Sequence, residues 1–154
     1  MFEKILVCLD GSELAEQILP YATEQALRFG STLTLFHVLT PPATVGLNIP
    51  GAPAVEVETT GMFHRLEKHS GQDEKYFQYL ADKIAESGVR VDYEIQVGDP
   101  GQAIIDYTAA NGIGLIAIAT HGRGGLGRAF FGSVADYVLR HSSLPVLLVR
   151  SKPG

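Results

Sequence analysis

The sequence predicts an α/β fold built on a parallel sheet, and three observations carry that prediction. Short apolar runs alternate with segments of helical periodicity; the runs are almost continuously apolar; and turn residues stand where each run ends. Alternation of strand and helix implies crossover connections and hence parallel strands, and strands covered on both faces read as continuous apolar stretches rather than alternating ones. Ligands of such open sheets bind outside the carboxyl ends of the strands.

The first strand is Ile5-Leu6-Val7-Cys8-Leu9, which runs into the turn Asp10-Gly11-Ser12; Ser12 or Asp10 is placed to cap the next helix. Leu14, Ile18, Ala22, Ala26 and Phe29 then recur at helical spacing and Gly30 closes the segment, while Pro20 inside it should kink or split the helix. Thr32 to Leu39 is a second strand. Residues 40–63 carry Pro41, Pro42, Pro50 and Pro53, with Glu56 and Glu58 as the only charges, and read as a long functional or mobile loop. From Leu66 to Ser87 the chain is polar, with Tyr76, Leu80 and Ile84 at every fourth position, a surface helix ending at Gly88. Val89, Val91, Tyr93, Ile95 and Val97 alternate as a third strand. Gly98-Asp99-Pro100 turns the chain into a helix whose inward face is Ala103, Ile104, Tyr107 and Thr108. Gly114 to Ala119 is a fourth strand, Thr120 to Gly127 a glycine-dense loop, Gly132-Ser133 opens a helix through about Arg140, and Pro145 to Val149 is the last strand. Asp10, Val38 with Leu39, and Ala119 to Gly127 all lie at carboxyl ends of strands and converge on one crevice.

With 154 residues the chain is read as one domain, 1–154. Twelve Lys+Arg against seventeen Asp+Glu give a net charge of −5, and no basic run occurs, so a dedicated nucleic-acid binder is not expected. Cys8, the single cysteine, makes neither an internal disulfide nor a thiolate zinc cage. No apolar stretch approaches the roughly 20 residues of a membrane span, and Met1-Phe2-Glu3-Lys4-Ile5 lacks the pattern of a secretory leader. The expectation is a cytoplasmic protein without a membrane partner.

The glycine loop is the most informative feature. Gly122, Gly124, Gly125 and Gly127 leave backbone N–H groups open to a ligand, and Gly132-Ser133 adds more at a helix start, which suits phosphate; Arg123 and Arg128 add positive charge. A ligand-free surface loop is the alternative. Gly122 to Gly127 also fits G-x-G-x-x-G, but it does not open a helix directly and Arg150 stands near where the acidic residue of a dinucleotide site belongs. It is no P-loop either, because Arg128-Ala129 replaces the Lys-Ser/Thr pair. A carboxylate at Asp10 suits ribose hydroxyls, a metal beside phosphates, or a plain helix cap. Cys8 reads as an inert core residue, His37 as a strand residue beneath the site, His121 as a loop residue within reach of a phosphate, and Asp136 as a complement to its helix dipole. His64 and His69 are badly spaced for a metal on one helix face, and neither G-x-S-x-G nor H-E-x-x-H occurs.

These residues together resemble the universal stress protein family over nearly the whole chain. Ile5 to Ser12 is similar to the family's opening strand with its aspartate, Leu35-Phe36-His37-Val38 to its second strand, Gly98-Asp99-Pro100 with Ala103-Ile104 to the entry of its third helix, and Leu144 to Val149 to its closing strand. Most specific is Ala119-x2-Gly122-x9-Gly132-Ser133, which resembles the Gly-x2-Gly-x9-Gly-Ser/Thr of the nucleotide-binding branch. The resemblance implies an open five-stranded parallel sheet of order 3-2-1-4-5, Rossmann-like with helices on both faces, and a bound ATP, with ADP, AMP or a cyclic dinucleotide as alternatives. By position, Asp10 would hold the ribose hydroxyls, the Val38 backbone would meet adenine, and Leu9 and Ile118 would line the base pocket. Gly122, Gly132, Ser133 and Val134 would hold phosphates, Arg123 would add a contact, and Mg²⁺ would be held through the phosphates. Two positions depart from the pattern: Ala119 replaces the first glycine, and Ala135 stands where some ATP-binding members carry a hydroxyl. The resemblance also implies a homodimer through the edge strand Val146–Val149. The expected function is a nucleotide-binding stress-response or signalling module with an unknown protein partner. With no general base in evidence, at most slow ATP hydrolysis is expected. An adenylating enzyme of the same fold, and an interaction protein without nucleotide, are the alternatives.

Overall fold

The computed structural model describes residues 1–40, 59–121 and 132–151, with the side chains of 59–70, His121 and Ser151 left aside. The elements in chain order are β1 (Lys4–Leu9), α1 (Glu13–Glu16), α2 (Leu19–Phe29), β2 (Thr32–Leu39), α3 (Thr59–Ala85), β3 (Arg90–Val97), α4 (Pro100–Asn111), β4 (Leu115–His121), α5 (Ser133–His141) and β5 (Val146–Ser151). The strands form one parallel sheet in the order β3-β2-β1-β4-β5. That is the expected order. The chain winds outward from β1 to β3, returns to β4 on the other side of β1, and so leaves its switch point between β1 and β4.

Strand periodicity divides the central residues between two cores. Ile5, Val7 and Leu9 face α1, α2 and α3 together with Leu33, Leu35, Phe77, Leu80 and Ile84. Leu6 and Cys8 face α4 and α5 with Phe36, Ile104, Ile116, Ile118 and Val138. Ile5, Leu6 and Val7 are fully buried, which is why β1 reads as an unbroken apolar run.

Pro20 splits the first helical segment. It sits in the first turn of α2, where its missing N–H removes no helical hydrogen bond. Ser12 caps α1, accepting from the Ala15 amide at 3.1 Å. Asp99 caps α4, with Pro100 following it and the Gln102 amide donating to its carboxylate at 2.9 Å. Most boundaries fall within a residue or two of expectation, and three differences bear on the site or its neighbourhood. The helix expected from Leu66 begins at Thr59, so residues 59–63 of the expected loop are helical; residues 41–58 lie outside the described residues. β4 extends through Thr120 and His121, which pair with Arg150 and Ser151 rather than joining a loop. The last strand begins at Val146, because Pro145 has no N–H to give the ladder and contributes only its carbonyl, to the Ile116 amide at 3.0 Å. The glycine-dense segment from Gly122 onward lies outside the described residues until Gly132.

Candidate functional site

A cavity of about 340 Å³ opens at the carboxyl ends of β1, β2 and β4, at the switch point of the sheet. That volume is in the range of small-ligand pockets. Its apolar wall follows strand register: Cys8 is paired with Phe36 on one side and Ile118 on the other, and all three point to the α4–α5 face, where Ile104 joins them. Asp10, Thr40, Thr120 and Ser133 bring polar groups to the same space.

The start of α5 forms one end of the cavity. Gly132 occupies the cap position with no side-chain capping bond, and the first helical bond runs from the Asp136 amide to the Gly132 carbonyl at 2.9 Å. The amides of Ser133, Val134 and Ala135 therefore precede the helical ladder, at the end where the macrodipole is positive. Gly132 is tied to β4, since its own amide donates to Thr120 Oγ1 at 3.0 Å. Thr120 is buried, so this bond fixes the helix start against the strand end.

Asp10 brings a carboxylate to the same cavity. Its Oδ1 accepts from the Ser12 amide at 2.9 Å and from Ser12 Oγ at 2.6 Å. The cap of α1 is Ser12, not Asp10, so capping does not account for the carboxylate. Behind β1, His37 is buried; its Nδ1 meets the Leu9 carbonyl at 2.9 Å and its ring stacks on Phe77. His37 belongs to the face opposite the apolar wall and does not line the cavity. Burial pushes the Cys8 thiol up to about 12, so it stays protonated and behaves as an apolar wall group.

Of the residues expected at a site, Leu9, Asp10, Val38, Ile118, Ala119, Gly132, Ser133 and Val134 are brought together around this cavity. Leu9 reaches it although its side chain belongs to the α1–α3 core. Gly122 and Arg123 lie outside the described residues. Cys8, Phe36, Ile104 and Thr120 also line the cavity and were not among the expected site residues. Period-two parity held their signal: Cys8 and Phe36 share a face with Ile118, whereas Leu9 does not. His64 and His69 fall on α3, their side chains outside the description, and Asp136 pairs with Arg140 at 2.8 Å. Among the described residues no group of three or more His, Cys, Asp or Glu is placed to hold a metal, and no helix is long and apolar enough to cross a membrane.

The universal stress protein family model matches residues 1–150. A universal stress protein of Synechocystis is 31% identical over 153 residues, covering 97% of this chain and 98% of that protein. One of Bacillus subtilis is 29% identical, covering 97% of this chain and 100% of that protein. Among solved structures, a universal stress protein of Lactobacillus plantarum superposes with a TM-score of 0.77 at 23% identity, over 97% of this chain and 98% of that one. A universal stress protein in complex with cAMP gives 0.65 at 18% identity, over 98% of each chain. A family protein of Arabidopsis thaliana with AMP bound gives 0.63 at 16%, over 97% of this chain and 91% of that one.

Proposed function

Because the chain belongs to the universal stress protein family, we propose that it is an adenine-nucleotide-binding member acting as a nucleotide-dependent signalling module. The observation that carries this reading is the layout of one cavity. One cavity brings together an apolar slot, a carboxylate and an uncapped helix start, which suit a base, a ribose and a phosphate in turn. Cys8, Phe36, Ile104 and Ile118 would sandwich the base, with the Val38 backbone at its edge. Asp10 would accept from the ribose hydroxyls. The amides of Gly132, Ser133 and Val134 and the Ser133 hydroxyl would hold phosphate, and Gly122 and Arg123 would complete that end as the resemblance implies. The AMP and cAMP seen in two structural relatives support the ligand class. ATP is the proposed ligand, with ADP and AMP as shorter forms using the same base and ribose contacts. Mg²⁺ would be held through the phosphates, neutralising their charge.

Cys8 and Asp10 are the titratable side chains among the described lining residues. The first is a high-pKa thiol and the second has one oxygen occupied by Ser12. Neither is arranged as a base for attack on a γ-phosphate, so the proposed action is a shift between conformers that bind nucleotide unequally, read by a partner protein. Denaturing the freshly purified protein and identifying released nucleotide by chromatography and mass spectrometry tests the reading, followed by titration with ATP and Mg²⁺. Stoichiometric adenine nucleotide, or saturable binding, is expected. An empty protein that gives no thermal shift with any adenine nucleotide would leave the interaction-protein reading. Asp10→Ala should weaken ATP and AMP while sparing inorganic tripolyphosphate; equal loss of both would make Asp10 structural.

A further inference from the structure

We propose that Ser12 is a positioning residue for sugar recognition, holding Asp10 so that one carboxylate oxygen alone reads the ribose; the inference rests on the nucleotide reading above. Both donors of Ser12 that reach Asp10 go to the same atom, Oδ1, the amide at 2.9 Å and the hydroxyl at 2.6 Å. A carboxylate oxygen has two lone-pair directions, so Ser12 fills Oδ1. Oδ2 is then the oxygen left for a ligand hydroxyl at the cavity rim that Asp10 lines.

The same hydroxyl also accepts from the Ala15 amide at 3.1 Å. Ser12 Oγ therefore sits in a relay from the first turn of α1 to the carboxylate, and its proton is directed at Asp10 because its lone pair faces the helix. Gly11, at φ +82°, takes the left-handed backbone that lets Ser12 turn back onto Asp10. An exposed aspartate samples several rotamers in water; this one is held by two charge-assisted bonds before any ligand arrives. The consequence is selectivity. A pre-set Oδ2 favours a sugar that offers it a hydroxyl, and a freely rotating carboxylate discriminates less, since water meets its needs when the hydroxyl is missing.

The test compares dissociation constants of ATP, its 2′-deoxy and 3′-deoxy analogues and inorganic tripolyphosphate for the wild type, Ser12→Ala and Ser12→Thr. The wild type should bind at least one deoxy analogue about tenfold more weakly than ATP, the scale of a hydrogen bond to a charged group. Ser12→Ala should shrink that ratio about fivefold, because the amide bond to Oδ1 remains while the hydroxyl bond is lost. Ser12→Thr should restore the ratio, and tripolyphosphate should bind all three alike. A helix cap alone would lower stability and weaken all ligands in proportion without moving the ratio. If Ser12→Ala fails to fold, Ser12→Gly deletes the hydroxyl with a residue better tolerated at a cap. An unchanged ratio in the folded hydroxyl-free variant overturns this inference alone. A wild type that binds ATP without discriminating either analogue overturns it together with the Asp10 role, and one that binds no adenine nucleotide overturns the nucleotide reading as well.

Discussion

Gly132 has φ −54° and ψ 155°, angles open to any residue, and a Cβ built there meets no described atom within 4 Å. Neither backbone strain nor packing among the described residues asks for glycine, whereas the proposed approach of phosphate to the amides of α5 would. Gly132→Val should therefore leave the melting temperature within a few degrees of wild type and weaken ATP by at least about tenfold, the scale of a lost charge-assisted contact; calorimetric titration beside a thermal melt checks both. Cys8 makes a different demand. Its thiol, ordinarily at 9.0, is raised to about 12 by burial. Between those values the unfolded chain has released the proton and the folded chain keeps it, so stability present below pH 9 declines as pH rises toward 12, by about 1.4 kcal/mol per pH unit from this group. Urea unfolding from pH 8 to 10.5 should show that slope, and Cys8→Ala should flatten it while lowering stability at pH 8. The Tyr76 hydroxyl, raised by burial and its bond to Glu16, adds a slope of the same sign that the Cys8 substitution leaves in place.

At the scale of elements, α4 and α5, which both line the cavity, pack closely where Gly101 meets Tyr137. A Cβ on Gly101 would lie 2.6 Å from Tyr137 Cδ1 and 3.2 Å from its Cβ; a rotamer change would move the ring but leave the Cβ contact. Gly101→Ala should destabilise the chain by about 1–3 kcal/mol, and Tyr137→Ala in the same molecule should recover part of that loss in a double-mutant cycle of melting free energies. The strands were legible in the sequence because burial on both faces makes them continuous apolar runs, and the meeting of Asp10, Val38 and Ala119 follows from parallel topology alone. The helix start at Thr59 was not legible: Thr59, Thr60 and Gly61 are poor helix formers, and the prolines upstream made the stretch read as loop. β4 was read two residues short because Thr120 and His121 adjoin glycines, whereas pairing with β5 carries them into the sheet. Val97 is 58% exposed despite its alternation; it is the last residue of β3, an outer strand. Parity along β1 carried the signal for Cys8, which lines the cavity beside the expected Leu9.

At the scale of the whole molecule, the sheet ends in two outer strands that differ in chemistry. β3 carries Arg90, Asp92 and Glu94, charges of the kind that discourage a second strand from adding. β5 is Val-Leu-Leu-Val before its first charge at Arg150, and Val146, Leu147, Leu148 and Val149 are all half-buried with only β4 beside them among the described strands. We propose that this uncharged apolar edge is covered by its twin across a two-fold axis, giving a homodimer through β5. Sedimentation should give twice the 16.6 kDa chain mass. Leu147→Asp should give the monomer mass. Leu147 also packs on the α1–α3 core, so a lower melting temperature in that variant would not by itself report an interface. Concentration separates the two effects: a dimer gains stability by mass action, so the wild-type melting temperature should climb with protein concentration, while that of Leu147→Asp should be lower and flat. A wild type that sediments as a monomer and melts independently of concentration would remove the β5 interface and leave the proposed nucleotide site, whose cavity is lined within one chain, untouched.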